Sequence, residues 1–161
     1  MSEFVIREAV AADIPTVLML IREMATYERA ADRFRVDESR LRRYIFCDRP
    51  IATIFLAEED DEPVGYAIVL PAFSSYAGIP DLYLEDLFLR DTVRGKGYGK
   101  RMMAHLARYV KQRGFRNLAW SVLDWNTPSI DFYDRLHATR ESDRFHYTLE
   151  GEALERLAQV D

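Results

Sequence analysis

The sequence predicts an α/β domain on a mixed sheet, and three observations predict it. Short runs rich in β-forming residues are interleaved with stretches whose apolar residues recur at helical spacing. The resulting order is β-α-α-β-β-β-α-β-α-β, which suits helices packed on a sheet. A glycine-rich run also joins an apolar strand pattern directly to a long helix pattern, as in a ligand-binding βα unit. The chain has 161 residues, 48% of them hydrophobic, which fits a single domain over residues 1–161. At this length roughly two-thirds of the unfolded surface is buried on folding, so the core needs neither metal nor disulfide.

Phe4 to Glu8 alternates apolar and polar residues, as a half-buried strand does. Asp13 reads as an N-cap with Pro15 in the first turn. Ile14, Val17, Leu18, Ile21, Met24 and Ala25 then form one apolar helical stripe. A shorter helix is expected over Glu38 to Phe46, where Leu41, Tyr44 and Ile45 share a face, and Pro50 stops it. Cys47 follows it and is expected to pack against this helix. Ile51 to Glu58 and Val64 to Leu70 read as a hairpin around the acidic turn Asp60-Asp61-Glu62-Pro63.

Pro71 to Pro80 is a looser connection, and Leu82 to Leu89 is the next strand. A helix is predicted from about Gly97 to Arg113, with Met102, Met103, Leu106, Ala107 and Val110 facing the core and Gly114 ending it. Asn117 to Leu123 is a strand, Thr127-Pro128 starts a helix reaching Leu136, and Phe145 to Leu149 is a last strand. Glu152 to Val160 adds a short amphipathic helix.

The formal net charge of −5 argues against nucleic acid, which wants a clustered basic face. It favours cationic small molecules instead. The N-terminal residues lack the apolar region of a secretory leader, and no apolar stretch reaches the length of a membrane span. One cysteine cannot form an internal disulfide and suits a reducing compartment. A cytoplasmic protein without membrane or nucleic-acid partners is therefore expected. His105, His137 and His146 form no metal-ligand pattern, so no metal is expected.

Between the strand and the long helix stands Arg94-Gly95-Lys96-Gly97-Tyr98-Gly99-Lys100. A nucleoside-triphosphate loop needs Gly-x-x-x-x-Gly-Lys-Ser/Thr. Here Arg101 follows Lys100, and the upstream glycine is missing. The dinucleotide fingerprint Gly-x-Gly-x-x-Gly fails on spacing and on its late position in the chain. A pyrophosphate cradle remains: alternate glycines let the backbone approach closely, the helix N-terminus offers N–H groups, and Arg94, Lys96 and Lys100 supply charge.

This run matches the Q/R-x-x-G-x-G/A pattern of the GNAT acetyltransferase superfamily, and the element order resembles that fold. The resemblance implies a GNAT-type, mostly antiparallel central sheet flanked by helices. It also implies acetyl-CoA as co-substrate, held at Arg94, Gly95, Lys96, Gly97, Tyr98, Gly99 and Lys100. Tyr83 to Leu89, Asp124-Trp125-Asn126, Phe132-Tyr133 and Leu20 to Glu28 resemble the diamine/polyamine branch, which comprises the spermidine/spermine and thialysine acetyltransferases. By that resemblance Leu87, Phe88 and Leu89 lie along the pantetheine arm, at a strand bulge whose freed N–H groups hold the oxyanion. Asn126 and Ser129 also hold the cofactor; Asn126 reads equally as an N-cap ahead of Pro128.

Alkyl ammonium groups have a pKa of about 10.4, so roughly one molecule in a thousand is a free amine near neutral pH. A carboxylate that accepts the proton lifts this restriction. Glu85 interrupts an apolar run beside the loop and corresponds to the branch's amine-proximal glutamate. Asp86 has the weaker claim, because strict alternation points it to the other face. The resemblance makes Tyr133 the acid that protonates the departing thiolate, and Tyr27 and Glu28, with Glu85, the contacts to substrate.

The chain departs from the polyamine enzymes at Phe73 to Pro80, which lacks their acidic residue and tryptophan. It departs again at Arg144-Phe145 and at His137-Ala138. A basic amino acid such as thialysine or lysine is thus as well matched as a di- or polyamine. Direct transfer in a ternary complex is expected. A peptide or protein N-acetyltransferase, or a non-catalytic acyl-CoA-binding module, are the alternatives. Relatives of the branch imply a homodimer.

Overall fold

The computed structural model describes residues 2–160. The chain divides into two compact units, Met1–Ser121 and Val122–Asp161, taken separately below.

The first unit is a five-stranded sheet in the order β1-β2-β3-β4-β5. Its strands are β1 (Phe4–Glu8), β2 (Thr53–Glu59), β3 (Glu62–Phe73), β4 (Pro80–Leu89) and β5 (Leu118–Trp120). The first three pairings are antiparallel and β4–β5 is parallel. The parallel pair needs a crossover, and α3 (Tyr98–Arg113) supplies it. The mixed, mostly antiparallel sheet expected from the sequence is thus present.

Alternation along β2 divides its residues between two cores. Ile54 and Leu56 join Ile14, Val17 and Leu20 of α1 (Ile14–Tyr27), Leu41 of α2 (Glu38–Tyr44) and Tyr66 of β3 in one buried cluster. On the opposite face, Phe55 meets His105 and Tyr109 of α3 edge-on at ring distances of 4.9 and 5.2 Å. Removing Leu20, which has no solvent exposure, leaves a cavity between α1 and the sheet. Such a truncation ordinarily costs 2–5 kcal/mol, or about 3 kcal/mol at mid-range.

Helix ends follow the sequence signals, with local corrections. Gly114 caps α3 at φ 75°, with its N–H on the Val110 carbonyl. Asp13 precedes α1 but does not cap it with its side chain. Its carboxylate is instead bound by Arg7 at 2.8 and 2.9 Å and by the Val10 N–H at 2.8 Å. Arg7 also grips Glu58, tying β1 to β2. α2 ends at Tyr44, and Cys47 is exposed beyond it rather than packed in a helix.

Gly65 marks a close approach of β3 to β4. A Cβ there would stand 2.3 Å from the Phe88 carbonyl oxygen and 2.5 Å from Leu89 Cδ2. Gly65→Ala must push the two strands apart where β4 approaches the glycine loop. Overpacking of this kind costs about 1–3 kcal/mol, and the loss is measurable as a lower urea midpoint.

The second unit contains α4 (Thr127–Arg135) and α5 (Gly151–Leu157). The strand expected over Phe145 to Leu149 does not form. No regular structure lies between α4 and α5, and Phe145 and Tyr147 are 88% and 87% exposed. The β-forming alternation is present in the sequence, but a strand also needs a partner edge, and none pairs with it among the described residues.

Candidate active site

The site grows from the end of α1. Glu23 receives Arg90 in a two-pronged ion pair at 2.7 and 2.8 Å. The same guanidinium donates to the Pro63 carbonyl at 2.8 Å. Arg90 directly follows β4, so α1 is fastened to the point where that strand leaves the sheet. The fastening sets Tyr27, in the last helical turn, and Glu28, which closes the helix with its N–H on the Met24 carbonyl.

β4 departs from strict alternation where the chemistry is expected. Val69 faces Leu84 and Ile68 faces Asp86, so Glu85 has no partner on β3 and forms a β-bulge. The extra residue reverses the faces beyond it. Leu84 pairs with Val69, whereas Phe88 pairs with Tyr66 three residues away, on the α1 side. Asp86 is carried to that side too. The Tyr66 hydroxyl, buried beneath α1, lies 3.0 Å from Asp86 Oδ2 and 3.1 Å from Met24 Sδ. The sequence expectation that Asp86 points away is therefore corrected, and the bulge, expected at Leu87 to Leu89, sits at Glu85.

The bulge gathers three carboxylates and one phenol. Burial is the main cause that pushes the Asp86 carboxyl up to about 6; the charges of Glu85 and Glu28 add to it, and the Tyr66 hydroxyl opposes it. Burial, then the Glu85 charge, raises Glu28 as well. Burial and the neighbouring Asp86 drive the Tyr66 phenol far above its ordinary range, so it stays protonated and acts as a donor. Glu85 itself is exposed. Such a cluster attracts a cation and includes a proton acceptor close to neutral pH.

β5 pairs with Leu82, Tyr83 and Leu84 and no further. From Glu85 to Leu89 the β5 side of β4 has no strand partner among the described residues. This is the splayed edge that an extended ligand can join by main-chain hydrogen bonds. Leu87, Phe88 and Leu89 lie along it, half-buried.

A short 3-10 turn, Asp91–Val93, leads from β4 into the glycine loop. Gly95 and Gly97 hold φ of 79° and 78°, a region open to glycine at little cost. Gly97 is the residue before α3, and the N–H groups of the first turn, at Tyr98, Gly99 and Lys100, have no intrahelical partner. Arg94 pairs with Asp91 at 2.6 Å and lies 5.8 Å above the Tyr27 ring, so the loop and the end of α1 meet. Lys96 holds both Glu59 oxygens at 2.8 Å. The Tyr98 side chain is buried, stacked 3.8 Å from the Phe4 ring, and its hydroxyl donates to Glu59. What Tyr98 offers a ligand is its main chain. Lys100 is exposed.

In the second unit, the Asn126 side chain accepts from the Ser129 N–H at 3.4 Å and is buried. It is the N-cap of α4, with Pro128 inside the first turn. Tyr133 is half-buried in that helix, its ring 5.2 Å from Phe132. Glu28, Glu85 and the loop are thus joined within the first unit, while Asn126, Ser129 and Tyr133 share one helix in the second. Strict strand alternation gives no reason to bring Asp86 and Tyr66 together. A signal for both existed in Glu85-Asp86, two acids inside an apolar strand, which strict alternation cannot place together on a buried sheet.

Comparison with known proteins bears on the family and the fold. The family model "Acetyltransferase (GNAT) family" matches residues 23–138. The chain is 33% identical over 169 residues to a thialysine N-epsilon-acetyltransferase of Bos taurus, covering 98% of this chain and 99% of the relative. It is 25% identical to L-ornithine N5-acetyltransferase NATA1 of Arabidopsis thaliana, over 97% of this chain and 88% of the relative. Among solved structures, an integron cassette protein from the mobile metagenome of V. cholerae superposes with a TM-score of 0.81 at 24% identity, covering 98% of each chain; this likeness bears on the fold. The glycine loop, the open edge of β4 and the matched family span lead to one conclusion: the chain belongs to the GNAT family of acetyltransferases.

Proposed function

We propose that the protein transfers the acetyl group of acetyl-CoA to a side-chain amine of a small basic amino acid, of the thialysine, lysine or ornithine type. The observation that carries this reading is the group of Glu28, Glu85 and Asp86 at the β4 bulge, beside the open strand edge and the glycine loop. The loop amides and the α3 N-terminus take the diphosphate. The edge from Leu87 to Leu89 takes the pantetheine arm, which sets the thioester by the bulge. The carboxylates draw in the ammonium group, and Glu85 takes its proton directly or through water. The neutral amine then attacks the acetyl carbon, the C–S bond breaks, Tyr133 supplies the proton that the leaving thiolate needs, and the second proton shed by the nitrogen as the amide forms restores the phenol through solvent. An ordinary thiol and an ordinary phenol differ by only about 1.5 pH units in acidity, so a proton passes from phenol to thiolate at small cost.

The amino-acid substrate is supported by the names of the thialysine and ornithine relatives. Kinetics on thialysine, lysine, ornithine, putrescine and spermidine test the choice. The expected result is higher kcat/KM for the amino acids than for the polyamines. Glu85→Gln should lower kcat/KM for the best amine by about 10²-fold, the lower range of general-base effects. A preference for spermidine, or an unchanged Glu85→Gln rate, would contradict the reading.

A further inference from the structure

Tyr66 is a fully buried tyrosine whose polar end reaches an acidic group. Its ring lies in the apolar cluster under α1, 6.2 Å from Phe88. The hydroxyl is the feature a phenylalanine would lack, and a buried hydroxyl is kept at a desolvation cost unless it is bonded. Here it bonds Asp86, the residue that the β4 bulge turns to the same face.

We propose that Tyr66 is a positioning residue for the amine site: its hydroxyl holds the Asp86 carboxylate ionised and turned toward Glu28 and Glu85. The inference rests on the amine-transfer reading and adds to it a residue that touches neither substrate nor cofactor. The groups acting on Asp86 are Glu28 at the C-terminal cap of α1, Tyr66 from β3 and Glu85 from β4 itself, while the Met24 sulfur of α1 meets the Tyr66 hydroxyl. Burial and both glutamates favour the neutral acid, which neither attracts an ammonium ion nor accepts its proton. The Tyr66 hydroxyl is the opposing influence, because a hydrogen bond donated to the charged form favours that form. In the reaction, one proton passes from the substrate's ammonium nitrogen to a carboxylate oxygen of the cluster, and the nitrogen keeps the electron pair for attack. Tyr66 stays protonated throughout.

The sign follows from the protonation states. Asp86 works as the anion, so activity falls as pH drops through its pKa. Removing the Tyr66 donor raises that pKa, and the acid limb moves to higher pH. A hydrogen bond to a charged group corresponds to a shift of about one pH unit or somewhat more.

Two measurements on the intact enzyme test this. The first is the 13C titration of the Asp86 carboxyl in wild type and Tyr66→Phe, which needs no turnover. The second is the pH profile of kcat/KM with the best amine in wild type, Tyr66→Phe, Asp86→Asn and the double variant. A midpoint and an acid limb that both rise by about one unit in Tyr66→Phe, with no further effect of Tyr66→Phe in the Asp86→Asn background, support the proposal. An unmoved midpoint overturns it. So does a moved midpoint with an unmoved limb, or an acid limb in Asp86→Asn that stays at the wild-type position; this last outcome decides the matter even if Tyr66→Phe fails to fold. A wild-type enzyme inert toward every amine, with the midpoint shifted as expected, would overturn the amine reading and the catalytic part of the proposal while leaving the Tyr66–Asp86 coupling in place.

Discussion

Tyr133→Phe should lower kcat for acetyl transfer by about 10²- to 10⁴-fold, the range of a positioned general acid, while leaving acetyl-CoA affinity unchanged. The substitution removes one oxygen and keeps the ring that meets Phe132 at 5.2 Å in α4. The helix keeps its Asn126 cap and Pro128 start, and thermal unfolding of the variant checks the fold. Without the phenol the thiolate must leave unprotonated or draw its proton from water. Rapid-quench kinetics and a direct binding titration separate the two quantities. A tenfold loss of affinity at unchanged kcat would move Tyr133 from acid to cofactor contact. Full activity would remove it from the reaction.

Gly97→Val should weaken acetyl-CoA binding by about 10- to 100-fold without unfolding the protein. Gly97 sits at φ 78° before the first turn of α3, where a β-branched residue is a genuine outlier. A residue held in such a region costs of order 1–3 kcal/mol, about one to two decades in an equilibrium constant. A Cβ there meets nothing within 4 Å, so the core has no reason to repack. The strain is relieved by moving the loop, which turns the Tyr98, Gly99 and Lys100 N–H groups away from a common anion. Calorimetry measures the affinity, and thermal unfolding checks the fold. Equal affinities in the two proteins would show that the loop geometry is not used.

Much of the frame was legible because its signals are local. Gly114, Pro128 and Asn126 mark helix ends by the conformations and hydrogen bonds they favour, and each stands where expected. The apolar stripe predicted for α1 is met at Ile14 and Val17, which are buried, while Leu18, Ile21 and Met24 pack part-buried against the same cluster and the buried Leu20 lies outside the predicted stripe. What escaped depends on partners distant in sequence. The bulge at Glu85 is a register shift against Ile68 and Val69, and nothing within β4 alone reveals that it carries one extra residue. That extra residue carries Asp86 to the face of Tyr66, a partnership that alternation along either strand alone does not show. Asp13 carries the composition of a cap, yet Arg7 claims its carboxylate. The ion pair holds that carboxyl below the usual range; the stability it lends is present above the unfolded pKa and is lost as pH falls toward the depressed folded value. Phe145 to Leu149 has a strand's alternation without an edge to join.

The most direct test of the account is an amide NMR titration of the whole chain with acetyl-CoA. The account predicts saturable shifts of the Gly95 to Lys100 amides at one equivalent, together with shifts along Leu87 to Leu89. If a saturating excess of acetyl-CoA left those amides where they were, the diphosphate would not lie in the glycine loop and the acetylation chemistry built on it would fall.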